Sequence, residues 1–438
     1  MMQWFDSMTT WLQGSPHWLA LAIFLVACLE CLAVAGIVIP GTVVLFTLAV
    51  LAGNGALELW QTLLLAYTGG LLGDAISYGL GRRFHQGIRR LPVLRDHPEW
   101  LTGAENYFQR YGVISLLVGR YIGPLRPMLP LVAGMLDMPA VRFALVSLLA
   151  AAGWAVAYML PGWATGAALR LPLPEGFWGA AGIVSAALAV MLLLIMQASL
   201  RERRWAASLA ALLGAIALAA MLIGFPWLDS LDQGLMTLAQ DERSAAFDPI
   251  AVFITRFGDL HIQFAAGVLL VALLFAARRW QAGLFVAGAL LLASTATTVL
   301  KNLLARSRPD VLLQPLESYS LPSGHSSAAF AFFLALGVLA GRGSAARTRL
   351  TWLLVASLPA LTIALSRVYL GVHWPSDIIA GALVAATSCA LSLALIQRAA
   401  PMQPLPAKVW WLVIPACAAL FGAMVAWELS TTQLRYSY

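Results

Sequence analysis

Charged residues are scarce in this sequence: only 11% of its 438 residues are Asp, Glu, Lys or Arg, whereas 61% are hydrophobic. A soluble globular domain carries about 25% charged residues, so this composition excludes a water-soluble protein. Apolar stretches close to the ~20 residues needed to cross a bilayer recur from residue 17 to residue 428. Backbone polar groups in lipid must be satisfied within their own segment, which favours helices. The sequence therefore predicts an all-α, polytopic membrane protein.

Cysteine is also rare, and the chain contains only Cys28, Cys31, Cys389 and Cys417. All of them lie in apolar runs, where cysteine usually packs as a small hydrophobic side chain. Cys28 and Cys31 form a CxxC pattern, but the surrounding LVACLECLAV lacks the polar access that a redox or metal site requires. We expect no disulfides.

The formal net charge of +7 reflects membrane topology rather than nucleic-acid binding. Arginines crowd the short segments 81–95, 201–204, 277–279 and 341–349, and short basic loops of this kind stay on the cytoplasmic side. The intervening loops then face outward, among them the acid-rich segment 226–249. The expected partner is the lipid bilayer, and no nucleic acid is expected.

The polar segments divide the chain into an N-terminal membrane domain at 1–200, a C-terminal domain at 206–400 and an additional transmembrane helix at 409–428. Six spans are predicted in the C-terminal domain, because each short loop between apolar runs reverses the chain. They fall near residues 206–224, 250–276, 282–300, 326–341, 351–366 and 377–396.

Chemically active side chains are concentrated in three segments, which the predicted topology places at the outer face. These are KNLLARSRP (301–309), PSGH (322–325) and SRVYLGVHWPSD (366–377). Lys301, Arg308 and Arg367 bring positive charge beside His325 and His373. Taken singly, Lys301 could be an interfacial lysine and Arg308 an ordinary loop residue. Together, cations at one membrane surface favour an anionic ligand.

The residues around the two histidines suit a phosphate group in particular. Ser323 or its neighbour can cap the fourth span, which leaves backbone N–H groups around Gly324 and His325 at the positive end of the helix dipole. Asp377 follows His373 by one helical turn, so its carboxylate can hold the ring in one tautomer. The other ring nitrogen is then free to attack phosphorus, and His325 can protonate the leaving oxygen.

A zinc site is the alternative for His373 and Asp377, because His and Asp at helical spacing also coordinate this metal. The neighbouring cations weigh against it, since a divalent ion would add to the positive charge. The three segments contain no Cys or Glu, and no histidine besides His325 and His373. We therefore expect no metal and no cofactor.

In order and spacing, KNLLARSRP, PSGH and SRVYLGVHWPSD resemble the three-part signature of the type 2 phosphatidic acid phosphatase (PAP2) family, and the resemblance covers about residues 206–400. It implies a six-helix, metal-independent membrane phosphatase that cleaves lipid phosphates or diphosphates through a phosphohistidine. By the same resemblance, His373 is the nucleophile, Asp377 its orienting partner and His325 the general acid. The residues implied to bind the phosphate are Lys301, Arg308, Arg367, Ser323 and Gly324.

Charged residues also interrupt the apolar segments of the N-terminal domain, namely Glu30, Asp74, Arg120 and Arg126. Charges at membrane depth are costly and usually functional, so we expect the two carboxylates to face the two arginines. The apolar runs also break at Pro40-Gly41 and Gly123-Pro124, which predicts re-entrant hairpins around a transport site. In the alternative interpretation Arg126 is a cytoplasmic topology charge and Asp74 a helix-packing residue.

The segments GGLLGDAISYGLGR (69–82) and GRYIGPLRPMLPLVAG (119–134) resemble the DedA family, over roughly residues 20–165. Members of that family are implicated in moving phospholipids or polyprenyl phosphates across membranes, so the resemblance implies a lipid translocation unit. The order Gly123-Pro124 is the reverse of the usual family order.

Two hypotheses of function follow. The first is a lipid phosphatase at the outer face joined to a DedA-like unit that returns the monophosphate inward. Its favoured substrate is undecaprenyl diphosphate, and the alternatives are phosphatidic acid and phosphatidylglycerol phosphate. The second is a transporter whose PAP2 half only gates or anchors it. Both place the protein in a bacterial inner membrane with the phosphatase site outside, and both leave the oligomeric state, including a homo-oligomer, open.

Overall fold

The computed structural model describes residues 14–33, 35–38, 41–88, 95, 98–121, 125–200, 205–312, 318–399 and 401–428. All regular secondary structure within these ranges is helical, which confirms the all-α prediction. Close contacts divide the chain into an N-terminal unit, Met1–Pro172, and a C-terminal unit, Leu173–Tyr438.

The N-terminal unit consists of two long helices and several short ones. Its helices are α1 (Pro16–Cys31), α2 (Ala35–Val38), α3 (Gly41–Leu51), α4 (Leu59–Ile88), α5 (Pro98–Tyr111), α6 (Ile114–Gly119), α7 (Leu125–Met135) and α8 (Ala140–Arg170).

Glycines allow α1 and α4 to pack backbone against backbone. A Cβ at Gly69 would lie 2.3 Å from the carbonyl oxygen of Phe24, and a Cβ at Gly73 would lie 2.3 Å from that of Cys28. No side chain tolerates such distances, so the Gly-rich start of the segment 69–82 places α4 directly against the helix that carries Glu30.

The interrupted segments predicted from the sequence are present as short helices. Between α1 and α3 the described residues form only the four-residue helix α2, and α6 and α7 have 6 and 11 residues. None of these reaches the length of a bilayer span. Pro40 and Gly123-Pro124, where the breaks were predicted, lie outside the described residues.

The C-terminal unit contains the helices that carry the three motif segments. They are α9 (Phe177–Leu200), α10 (Ala206–Gly224), α11 (Asp229–Asp241), α12 (Asp248–Arg256), α13 (Leu260–Ala276), α14 (Trp280–Leu304), α15 (Gly324–Ala340), α16 (Ala346–Tyr369), α17 (Pro375–Ala399) and α18 (Ala407–Glu428).

Helix α9 departs from the predicted organisation, which placed residues up to 200 in the N-terminal domain. Its packing against α10, α11 and α16 makes it part of the C-terminal unit. The Phe177 side chain is 3% exposed and fills the space beside Gly234, whose Cβ would lie 2.3 Å from the ring. The basic segment at 201–204, which suggested the boundary, therefore belongs to this unit in the sequence, and it lies outside the described residues.

The additional C-terminal helix α18 is an integral part of the second unit. Phe421 on α18 meets Phe332 on α15 edge-on, with ring centroids 5.5 Å apart. Phe285 on α14 is completely buried in the same apolar core. Helix α18 thus closes the core that supports α15, the helix whose first turn contains the PSGH motif.

Within the described residues, eight helices are long and apolar enough to cross a membrane, or nine if the bent pair α12–α13 forms one span. Helix α15 is shorter, with 17 residues. This arrangement confirms a polytopic membrane protein.

Candidate active site

Backbone hydrogen bonds bring the three motif segments together at the ends of α14, α15 and α17. The N–H of Ser320 donates to the carbonyl of Arg306 at 2.9 Å, and the N–H of Ser323 donates to the carbonyl of Asp377 at 3.0 Å. A Cβ at Gly381 would lie 2.8 Å from the carbonyl oxygen of Ser323. This glycine therefore lets α17 approach the start of α15 closely.

The first turn of α15 has the geometry of an anion site. The buried Ser323 is the N-cap, and its hydroxyl accepts a hydrogen bond from the N–H of Ser326 at 3.4 Å. A Cβ at Gly324 would meet only ordinary contacts, the nearest being Leu260 at 3.6 Å, with the side chain of Lys301 at 3.9 Å. The space beside Gly324 is thus open next to a lysine, at the positive end of the helix.

His373 lies between Asp377 and Arg308. Its Nδ1 is 3.3 Å from Oδ2 of Asp377, and its Nε2 is 3.1 Å from a guanidinium nitrogen of Arg308. A guanidinium only donates, so Nε2 is the acceptor and Nδ1 carries the proton toward the carboxylate. Nε2, whose lone pair accepts this hydrogen bond from Arg308, is therefore the unprotonated nitrogen, and it faces the cationic side of the site.

Burial lowers the pKa of His373 well below its usual range, and the positive charges of Arg308, Arg367 and Lys301 lower it further. The side chain is only 2% exposed. The ring is consequently neutral at physiological pH, as a nucleophile must be.

Asp377 is held by more than the histidine. Its Oδ2 accepts hydrogen bonds from the hydroxyl of Ser320 and, at 2.8 Å, from the N–H of Trp374. Its Oδ1 accepts from Arg306 at 3.0 Å. Asp377 is fully buried, and these donors offset part of the cost of its desolvation.

His325 has a carboxylate partner of its own. Its Nε2 lies 2.8 Å from Oδ1 of Asp259, and Oδ2 of Asp259 accepts from Arg256 at 2.6 Å. Asp259 lies at the bend between α12 and α13, and its side chain is 8% exposed. Burial and the positive charge of Arg367 lower the pKa of His325, and the Asp259 carboxylate opposes this shift by favouring the imidazolium. Nδ1 of His325 is the ring nitrogen that faces away from Asp259.

Lys301 and Arg308 are fixed by backbone carbonyls around the site. The ammonium group of Lys301 donates to the carbonyl of Tyr319. Arg308 donates to the carbonyls of Ser318 and Val372, both at 2.6 Å. These hydrogen bonds orient the two cations, and the carbonyl oxygens that accept them carry no formal charge.

Arg367 is buried, with 1% of the residue exposed, and donates to the hydroxyl of Thr255 at 2.9 Å. Its positive charge is one of those that lower the pKa of His373. The structure thus brings together every residue that the sequence assigned to the phosphatase site.

In the N-terminal unit the predicted charges form two buried ion pairs. Arg120 pairs with Asp74, and Arg126 pairs with Glu30 at 2.7 Å. All four residues are at most 6% exposed. The sequence predicted that the carboxylates face the arginines, and the structure decides which partner each one takes.

Small and polar residues complete these pairs. Thr42 donates to Glu30 at 2.9 Å, and Ser147 donates to Asp74 at 2.7 Å. A Cβ at Gly41 would overlap with Oε2 of Glu30 at 1.6 Å. The glycine that begins α3 is therefore required by the Glu30 side chain.

An aromatic ring and a thiol join the two pairs into one cluster. The guanidinium carbon of Arg126 is 4.2 Å from the ring centroid of Trp154, and that of Arg120 is 5.2 Å from it. The Cys31 sulfur lies 3.5 Å from a nitrogen of each arginine. Cys31 is one of four free, buried cysteines, so the CxxC pattern forms no disulfide.

Two family models match the sequence, the VTT domain over residues 39–164 and the PAP2 superfamily over residues 282–401. The chain joins a VTT (DedA) domain to a PAP2 superfamily domain. Both resemblances seen in the sequence are confirmed, and the PAP2 superfamily domain makes the C-terminal unit an enzyme domain.

Sequence relatives match the VTT part of the chain. The inner membrane protein YabI of Escherichia coli is 40% identical over 152 residues, which is 35% of this chain and 60% of that protein. An uncharacterized membrane protein of Buchnera aphidicola subsp. Schizaphis graminum is 36% identical over 172 residues, 39% of this chain and 67% of that protein. The chain thus covers less than two thirds of the E. coli relative.

Two solved structures align with the chain at low TM-scores. The PAP2-type phosphatidylglycerolphosphate phosphatase of Bacillus subtilis has a TM-score of 0.37 and 24% identity, covering 43% of this chain and 96% of that protein. Aquifex aeolicus LpxE has a TM-score of 0.31 and 26% identity, covering 37% and 94%.

Sequence reasoning missed Asp259, Arg256, Asp232 and Arg306 in the PAP2 unit. Asp259 and Arg256 lie in FITRFGDLHIQF, where charges interrupt an apolar run. A charge within an apolar run is the same signal that made Glu30 a candidate, and it also applies to Asp259 and Arg256. Asp232 lies in the acid-rich segment 226–249, and nothing in that local pattern distinguishes it from its neighbours.

Proposed function

We propose that the PAP2 unit hydrolyses lipid phosphates or diphosphates through a phosphohistidine formed on His373. The observation that carries this proposal is the orientation of His373: Nδ1 faces Asp377, while the lone pair of Nε2 faces the side of the site that Arg308 occupies. A phosphate held by Lys301, Arg308, Arg367 and the start of α15 would present phosphorus to Nε2.

The reaction proceeds in two steps. In the first, Nε2 of His373 attacks phosphorus, the bond from phosphorus to the lipid oxygen breaks, and the leaving oxygen takes a proton from the His325 imidazolium. In the second, water attacks the phosphohistidine, gives a proton to His325, and the P–N bond breaks to release inorganic phosphate. Asp259 stabilises the protonated state of His325 before the first step, and Asp377 stabilises the charge that develops on His373.

The cations replace a metal ion in this mechanism. Lys301, Arg308 and Arg367 would place positive charge around the phosphate where negative charge develops, which is the role of a divalent ion in metal-dependent phosphoryl transfer. We therefore expect the reaction to need neither a metal ion nor a cofactor.

The substrate is a lipid phosphate, and undecaprenyl diphosphate is our first choice, with phosphatidic acid and phosphatidylglycerol phosphate as alternatives. The positive-inside distribution of arginines supports an outer location for the site in a bacterial inner membrane. The second hypothesis, in which the protein is a transporter and the PAP2 unit only gates or anchors it, predicts no hydrolysis.

A substrate panel tests the proposal. Purified full-length protein is supplied with undecaprenyl diphosphate, phosphatidic acid and phosphatidylglycerol phosphate in the presence of EDTA, and released phosphate is measured. We expect turnover of at least one lipid. Absence of turnover would support the gating or anchoring role, and turnover that requires added zinc or magnesium would contradict the metal-free mechanism.

We further propose that the VTT unit moves a lipid phosphate between leaflets. Four buried charges in apolar segments support this, since each costs about 2.5–3.5 kcal/mol on insertion scales and a purely structural scaffold gains nothing from them. The arginines and the Trp154 ring would receive the phosphate head group when the carboxylates release them.

A further inference from the structure

Arg306 connects two buried carboxylates at the edge of the PAP2 site. Helix α14 ends at Leu304, and Ala305 adopts a left-handed conformation with φ of 46° that turns Arg306 toward α17. One guanidinium nitrogen donates to Asp377 at 3.0 Å, and the other donates to Asp232 at 2.6 Å. The Arg306 side chain is 10% exposed.

Asp232 reaches the start of α17 from a different part of the chain. It lies on α11, is completely buried, and accepts from the N–H of Ser376 at 2.8 Å and from its hydroxyl at 2.5 Å. The Asp232 carboxylate thus lies at the positive end of α17. Its partner there, Ser376, directly precedes Asp377, whose carboxylate faces His373.

The two carboxylates need Arg306 between them. Buried like charges at close range disfavour each other, and without a cation one of them would be protonated. A protonated Asp377 could no longer stabilise an imidazolium on His373. Arg306 also holds Oδ1 of Asp377, which leaves Oδ2 to face His373, Ser320 and the N–H of Trp374.

We propose that Arg306 and Asp232 are positioning residues for the nucleophile, acting through Asp377 by keeping its carboxylate ionised and oriented toward His373. This inference rests on the proposed phosphatase function. The inference gives the two arginines of the segment KNLLARSRP different roles. Arg308 contacts His373 directly. The described hydrogen-bond partners of Arg306 are the two carboxylates and Ser376.

The test measures kcat and KM for a lipid phosphate with purified full-length Arg306→Gln, Arg306→Lys and Asp232→Asn. We expect kcat to fall about 10- to 100-fold in Arg306→Gln and Asp232→Asn, as for other residues that orient reacting groups, with KM changed less than about twofold. Arg306→Lys should retain more activity, because it keeps the charge. The matched control is Asp229→Asn, an exposed carboxylate on α11 that bonds to Gln233 and should behave like wild type.

Repeating the substitutions in an Asp377→Asn background separates positioning from a structural role. If Arg306 acts through Asp377, its loss costs less than about twofold there, because the effects of residues that act as a unit do not add. An equal loss in both backgrounds, an unchanged kcat, or a raised KM with normal kcat would each overturn the inference. If Arg306→Gln does not fold, Arg306→Lys and Asp232→Asn decide the question. An inactive wild type would instead refute the phosphatase proposal itself.

Discussion

Nε2 of His325 lies 2.8 Å from Oδ1 of Asp259, so each histidine of the PAP2 site has its own carboxylate. His373 and Asp377 are four residues apart in the sequence, whereas His325 and Asp259 are 66 residues apart. Two histidine–carboxylate pairs suit a reaction in which one ring must be neutral and the other protonated, because each carboxylate acts on a different ring.

The Asp259 pair predicts a dependence on the leaving group. Asp259→Asn should slow hydrolysis of a lipid monophosphate by about 10²-fold, since general acid catalysis is worth that much or more. Hydrolysis of a lipid diphosphate by Asp259→Asn should slow less, because its leaving group, a lipid phosphate, is a weaker base than an alkoxide. Initial rates on matched mono- and diphosphates test this, with the ion-paired Asp248→Asn as control. Equal losses on both substrates would argue against an acid role for the Asp259–His325 pair.

A covalent intermediate is expected on His373. Brief incubation with a lipid diphosphate labelled in its terminal phosphate should give an acid-labile, base-stable phosphoprotein in wild type and none in His373→Ala. In His325→Ala the intermediate should accumulate, because water attack then lacks its base. Mass spectrometry of the quenched protein locates the phosphate. A label that persists in His373→Ala would remove this residue as the nucleophile.

Gly324→Ala should separate ligand approach from folding. The added methyl group meets nothing in the protein closer than 3.6 Å, so the thermal unfolding temperature should stay within about 1–2 °C of wild type. Activity should fall by about 10²-fold, because the methyl group displaces the phosphate from the helix start. Thermal unfolding and phosphate release are measured on the same sample. Normal activity would place the phosphate elsewhere.

The lowered pKa of His373 predicts activity in mildly acidic conditions. A depressed pKa keeps the ring neutral as the pH falls through the usual value of about 6.5, so the acidic limb of kcat/KM should lie below that pH. Arg308→Gln removes one positive charge that lowers this pKa, so its acidic limb should move to higher pH even though its rate is reduced. Wild type and variant are compared on one substrate, so that titration of the substrate cancels. A limb that moves to lower pH contradicts the assignment.

The ion pair Glu30–Arg126 should matter for transport and not for hydrolysis. Glu30→Gln or Arg126→Gln alone leaves one buried charge unpaired, a defect worth about 3–5 kcal/mol, and should lower thermal stability. The double variant removes both charges and should recover stability but not movement of a labelled lipid phosphate between leaflets of proteoliposomes. Phosphate release in detergent should stay normal throughout. Normal transport by the stable double variant would make the pair structural.

Much of this protein follows from local sequence. Apolar segment length determined the helices, since α10, α14, α16, α17 and α18 begin and end within a few residues of the predicted spans. The four-residue spacing predicted the pairing of His373 with Asp377, and the ring of His373, which precedes α17, reaches the carboxylate in the first turn of that helix. The Ser323 cap and the open space at Gly324 were predictable for the same reason, as both are properties of a single helix start.

Only the tertiary structure decided which charges meet across the fold. Asp232 and Arg306 are 74 residues apart, and Arg126 and Glu30 are 96 apart. Such pairs form because a buried charge takes whichever opposite charge the helix packing brings within reach, and no local period records that choice. Packing also placed α9 with the C-terminal unit, where Phe177 fills the space at Gly234. The sequence determined the motifs and their helices by itself, whereas the partners that orient His325 and Asp377 depended on packing between distant segments.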